Sequence, residues 1–267
     1  MIIANPEKMK RLIVFIIVAI SIYSNPLKAS DTCKYTSLWI APGLYQVKES
    51  YNLNKVYKGL DYVIGMNFSK IAPRRYREMR FFLGGGVIHS SPVWAQKNDD
   101  KMKGYAFEIL PYSFYKGHGI FRKGNSNLYI GPEIEAYYNY NVYPNQNSGF
   151  FYWYSEYSVR LKAIYLIVSD QSKFTIKLSN NVAGLISRPS KNMGQYFFSL
   201  NVFDLFSNLH KEMKFSSVNR YMDTNLSFSY QKISGRVSVE FCVHYFKYFP
   251  DPILCNLAER IGLTINL

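Results

Sequence analysis

Along residues 126–143 the even positions read Leu128, Ile130, Pro132, Ile134, Ala136, Tyr138, Tyr140 and Val142. The odd positions read Asn127, Tyr129, Gly131, Glu133, Glu135, Tyr137, Asn139 and Asn141. A period of two sends successive side chains to opposite faces of a strand. One face here is apolar and ends in tyrosines; the other carries carboxylates and amides. A helix would repeat its apolar positions every three or four residues, so the segment is a strand between two unlike environments. The pattern recurs. Over 155–169, Tyr157, Val159, Leu161, Ala163, Tyr165 and Ile167 oppose Glu156, Ser158, Arg160 and Lys162. Over 173–187, Phe174, Ile176, Leu178, Val182 and Ile186 oppose Lys173, Thr175, Lys177, Ser179 and Asn181. Over 236–248, Val237, Val239, Phe241, Val243 and Tyr245 oppose Arg236, Ser238, Glu240, Cys242 and His244. Segments 56–70, 76–91 and 103–115 follow less cleanly; in the last, Tyr105, Phe107 and Ile109 oppose Ala106, Glu108 and Tyr112.

Two architectures meet that demand: a soluble sandwich with one wet face, and a barrel whose outer face meets lipid. The apolar sets run to the length of a membrane-crossing strand and several end in Tyr or Phe, as at a lipid–water interface. The opposite face mixes tyrosines with charges of both signs, which a solvated sandwich face does not need. The reading is therefore all-β: a closed antiparallel up-and-down transmembrane barrel, with the secreted sandwich as the remote alternative. Aromatic residues make up 17% of the chain, with 24 Tyr and 19 Phe, which suits β-structure. The net charge of +14 comes without a Lys/Arg run or a nucleic-acid motif. It points to anionic lipid or an anion-preferring lumen, and no nucleic-acid partner is expected.

Eleven segments alternate: 37–48, 56–70, 76–91, 103–116, 126–143, 155–169, 173–187, 195–206, 221–233, 236–248 and 257–267. A single-chain barrel with both termini on one side needs an even number. Counting Glu212–Val218 as a further strand gives twelve, with ten as the fallback. Short turns then fall at 72–75, 170–172 and 233–235, and longer connections at the other end; only 117–125 is long on the turn side.

Lys8, Lys10 and Arg11 precede an apolar run, Leu12 to Ile22, that is too short to span a bilayer as a helix. Residues 1–30 read as a signal peptide removed near Ala29 or Ser30, leaving 31–267 as one domain. Ser30-Asp31-Thr32 before Cys33 is the wrong context for lipidation. The closing residues, Arg260-Ile261-Gly262-Leu263-Thr264-Ile265-Asn266-Leu267, alternate to the end. In this the chain resembles the outer-membrane β-barrel proteins of Gram-negative bacteria, although Leu267 stands where that family has an aromatic. The resemblance implies residence in the bacterial outer membrane. It also implies contact with its lipid and lipopolysaccharide, and delivery by the barrel assembly machinery. It names no activity.

The candidate lumen lining is Asp61, Glu78, Arg80, Glu108, Glu133, Glu135, Glu156, Arg160, Lys162, Lys177, Asp223, Arg236 and Glu240. Paired, these would plug the barrel; segregated, they would set a field across a pore. A structural or porin-like barrel is the leading reading. A second is a surface binder acting through loops 92–102 and 144–154, with Phe151, Tyr152 and Trp153 as a ligand platform. A third is lipid chemistry: His89 and Ser91, two apart, resemble the His-x-Ser element of outer-membrane lipid A deacylases, with Glu108 as the third member. Pro92 stands where those enzymes have Asn. Glu240 and His244 share a face but read as part of the lumenal charge set, and His118 and His210 fall in turns. No metal or cofactor is expected. Cys242 and Cys255 flank a hairpin, yet their opposite parities allow a disulfide only through a bulge.

Overall fold

The computed structural model of the protein describes residues 32–49, 56–90, 103–143, 151–188, 207, 210, 213–250 and 253–267. Residues 1–30 and 195–206, read above as signal peptide and as a strand, lie outside them. The described chain forms eleven strands: β1 (Cys33–Glu49), β2 (Val56–Ala72), β3 (Arg75–Ser90), β4 (Lys103–Lys123), β5 (Ser126–Val142), β6 (Phe151–Val168), β7 (Ser172–Ser187), β8 (Lys214–Ser217), β9 (Tyr221–Lys232), β10 (Val237–Tyr248) and β11 (Leu254–Asn266). Each pairs antiparallel with its neighbours. The pairs β6–β7, β7–β9 and β1–β11 close ten of them into a barrel.

The count is thus ten, the fallback, and not twelve. Glu212–Val218 yields only the four-residue β8, which covers Ala183–Ile186 of β7 and does not cross the barrel. Strand β9 leaves β7 at Asn180. Beyond that point the Asn181 side chain fills the gap in the ladder. It donates to the Tyr221 carbonyl at 3.2 Å and accepts from the Asp223 N–H at 2.7 Å. The supposed long connection 117–125 is mostly strand, because β4 runs to Lys123 and turns at Gly124, whose φ of 55° favours glycine. All four connections on the side of the termini (73–74, 124–125, 169–171 and 233–236) are therefore short.

Three bulges interrupt the ladders of the described strands; one, between Gly119 and Phe121, lies near the turn end of β4. The register of β4 slips by one against β3 and β5 around Pro111, which has no N–H to give a ladder. Tyr112, read above as inward, consequently points outward and is 39% exposed. On β7 the slip falls at Val182, so Ile186 turns inward and is buried. A register walk once round the barrel runs Phe174, Tyr230, Val239, Leu263, Ile40, Ile64, Leu83, Ile109, Tyr138, Ser155 and back to β7 at Ser187. That stagger, from 174 to 187 with the bulged Val182 included, tilts the strands as closure requires.

From Val239 to Ile109 the walk runs through outward apolar residues, and neighbouring rows continue it as a band: Ile40, Leu44, Leu60, Ile64, Leu83, Ile109, Ile134, Leu161 and Leu263 are each between 42% and 61% exposed. Soluble monomers rarely expose contiguous apolar patches beyond a few hundred Å². Leu83, flanked by Ile64 and Ile109, sits in the middle of this band. Leu83→Arg should lower the stability of the barrel folded in vesicles by about 2–4 kcal/mol, read from its denaturant midpoint. A change within error would mean that this face does not meet hydrocarbon.

Candidate functional site

Inward positions hold the chemistry. Arg160 on β6 is fully buried and is the hub of the larger network. It donates to Asp223 on β9 at 2.8 and 3.2 Å, to Glu135 on β5 at 3.0 Å and to Ser179 Oγ on β7 at 2.9 Å. Asp223 Oδ1 also meets His244 Nε2 at 2.9 Å. One register step away, Lys162 bridges Glu133 at 2.7 Å and Glu78 at 2.9 Å, and Lys177 caps the other oxygen of Glu78. Ser113 and Ser179 hydroxyls donate to Glu133 at 2.7 and 2.6 Å. A second network joins Arg260 on β11 to Asp61 on β2 and to both oxygens of Glu108 on β4, each at 2.8 Å for the latter. Arg80 pairs with Glu240 at 4.0 Å and lies over the Trp39 ring. The close fit around that ring explains Gly262, where a Cβ would come within 2.3 Å of Trp39 Nε1.

The charges are paired across the barrel, the arrangement that fills a lumen. Among the described residues, eight inward carboxylates (Asp61, Glu78, Glu108, Glu133, Glu135, Glu156, Asp223, Glu240) face seven cations (Arg80, Arg160, Lys162, Lys173, Lys177, Arg188, Arg260), with Arg188 over the Tyr248 ring at the loop end. Charge is thus nearly balanced across the described interior. Glu156 is fully buried, and its carboxylate oxygens have no hydrogen-bond partner among the described residues.

Toward the loop end the interior is aromatic. Tyr154 and Phe246 stack across the lumen at 4.1 Å and 11°. Tyr45 Oη on β1 accepts from Asn139 on β5 and from Asn256 on β11, both at 3.0 Å. Tyr45, Tyr154 and Phe246 belong to a buried cluster with Val47, Tyr57, Ile88, Tyr137, Tyr143, Tyr221 and Leu254. Two cavities of about 60 Å³ remain below it, one central, beside Arg80 and Lys162, and one polar, at the turn end beside Lys173 and Ser238. Each holds only a few waters.

Arg236 alone of the expected lining is exposed, in the turn before β10. His89 is exposed on the outer face whereas Glu108 is buried inside against Arg260, so the structure does not bring that pair together; Ser91 lies outside the described residues. Trp153 is buried in β6, whose strand begins at Phe151, so the run Phe151-Tyr152-Trp153 is strand and not loop. Cys242 faces inward and Cys255 outward on paired strands, and both are free thiols. His210, expected as a solvated turn residue, meets the hydroxyls of Tyr138 and Tyr157 at 3.1 and 2.6 Å on the outer face.

No protein-family model and no curated protein matches the chain. Among solved structures it is similar to the outer-membrane protease OmpT of Escherichia coli, at 8% identity over 91% of this chain and 99% of that one, with a TM-score of 0.35. It is also similar to the CymD monoaromatic hydrocarbon channel, at 9% identity over 87% of this chain and 88% of that one, TM-score 0.22. A third is OprD of Pseudomonas aeruginosa, at 9% identity over 92% of this chain and all of that one, TM-score 0.18. Likenesses of this degree carry no argument about activity, and the closed barrel rests on its own strand pairing.

Removing Arg160 takes the guanidinium from two buried carboxylates, Asp223 and Glu135. Arg160→Met should destabilise the folded barrel by about 3–5 kcal/mol, and neutralising partners in Arg160→Met/Asp223→Asn/Glu135→Gln should recover most of it. Equal denaturant midpoints for the single variant and the wild type would show that these ions are hydrated and not paired.

Proposed function

We propose that the protein is an outer-membrane β-barrel that is closed at rest. It would serve as a rigid platform for the connections at its loop end and not as a steadily open pore. The membrane assignment is supported by the apolar outer band together with the closure of ten strands into one barrel, since only a closed sheet satisfies its backbone in hydrocarbon. The closed state is supported by one observation above the rest: Tyr45 spans from β1 to β5, and the Tyr154–Phe246 stack joins β6 to β10, two side-chain bridges between non-neighbouring strands inside the lumen. The platform role is supported by chain length. Connections at one end take two to four residues, whereas 91–102 and 188–213 at the other are much longer. Long connections on a rigid scaffold are where recognition concentrates. The turn end, which carries both termini, is taken as periplasmic.

In planar bilayers the wild type, checked first for heat-modifiable migration, should show no steady unitary steps. Tyr45→Ala/Phe246→Ala, which removes both bridges, should introduce them. Steady steps from the wild type would overturn the closed reading and restore a porin-like one.

A further inference from the structure

The outward face of β1–β4 changes character abruptly toward the turns. Phe68, Met79, Phe114 and Ile134 form one register row across β2–β5, each 37% to 49% exposed. Two residues nearer the turns, the next outward row reads Lys34, Lys70, Arg77 and Lys116 on β1, β2, β3 and β4. Directly paired positions hold their Cβ atoms about 5 Å apart, so this is a continuous basic strip. Arg74 in the adjoining turn and Arg75 at the start of β3 extend it, and all six side chains are exposed. Like charges set opposite one another on neighbouring strands cost stability. The cost goes uncompensated by the protein: none of the six forms an ion pair with a described residue. The carboxylates of the same strands do not relieve it either. Asp61, Glu78 and Glu108 are all buried inside with other partners.

We propose that this collar binds the phosphates of anionic phospholipid headgroups in the leaflet at the turn end. The strip lies on the side wall of the barrel and directly continues the apolar band. Its charges therefore meet the headgroup layer when the row of Phe68 and Phe114 meets acyl chains. Each Lys or Arg at such a surface contributes on the order of 1 kcal/mol of attraction to anionic lipid, falling off within a Debye length. The proposal rests on the membrane reading above and adds the leaflet and the lipid class.

The test uses the full chain refolded into mixed phosphatidylglycerol and phosphatidylcholine vesicles, then extracted at about 50 mM salt for native mass spectrometry of retained lipid. The wild type should retain phosphatidylglycerol over phosphatidylcholine by about tenfold or more, and Lys70→Ser/Arg77→Ser/Lys116→Ser should abolish that preference. Lys58→Ser/Lys103→Ser/Lys247→Ser, at the opposite end, should leave it intact. Lys70→Ser alone serves as a graded variant if the triple fails to fold. Heat-modifiable migration in phosphatidylcholine separates the two levels of the argument. If it is absent in the wild type, the membrane reading falls. If it is present, with no phosphatidylglycerol preference or with a preference that survives the collar triple, the collar proposal alone is overturned. Displacement of phosphatidylglycerol from the collar by equimolar lipopolysaccharide would overturn the choice of phospholipid.

Discussion

A sheet whose outer face carries a continuous apolar band can leave no edge along that band in hydrocarbon, because unpaired N–H and C=O groups there have no water to bond. That constraint organises the rest of the molecule. Closing ten strands fixes tilt and stagger together, and the stagger decides which inward residues face one another across the lumen. Arg160 reaches Asp223 across the one intervening strand β7, whereas Arg260 reaches Glu108 from β11 to β4 only because closure through the β1–β11 pair brings those walls within side-chain reach.

The interior then solves a second problem. A ring of this size encloses polar space that must be wet or filled. Here it is filled in layers, with tyrosines and Phe246 toward the loops, ion pairs in the middle and a small polar cavity near the turns. Buried ion pairs are weak evidence of net stability, since desolvation offsets much of their attraction. Their contribution is better described as registry: each guanidinium fork fits its carboxylates in one strand alignment. The described interior is nearly balanced in charge, so it does not account for the chain's net charge of +14.

The alternation was legible in the sequence wherever the strand was unbroken. Along β5 every parity reading agrees with the observed faces, because nothing between Ser126 and Val142 interrupts the ladder against β6. Legibility failed at single residues. The bulges at Pro111 and Val182 shift all later positions by one, which no local composition announces, and so Tyr112 and Ile186 exchanged faces. The residues after Gly117 looked like a loop because glycine and charge are turn signals, yet β4 carries them on paired strand. Which lumenal charges would pair was not legible at all. Arg160 and Asp223 are 63 residues apart in sequence, and only the register across three strands unites them.

Solvent access along β5 tests the account most directly. With Cys33, Cys242 and Cys255 replaced by Ser, single cysteines at positions 127 to 142 would carry a spin label in lipid vesicles, and collision with oxygen and with a water-soluble relaxant would be compared. Even positions should be accessible to oxygen and shielded from the aqueous relaxant. Odd positions, Glu133 and Glu135 among them, should be shielded from both. Aqueous access at the odd positions would mean a water-filled pore, and aqueous access at the even positions would mean that the apolar band does not meet lipid.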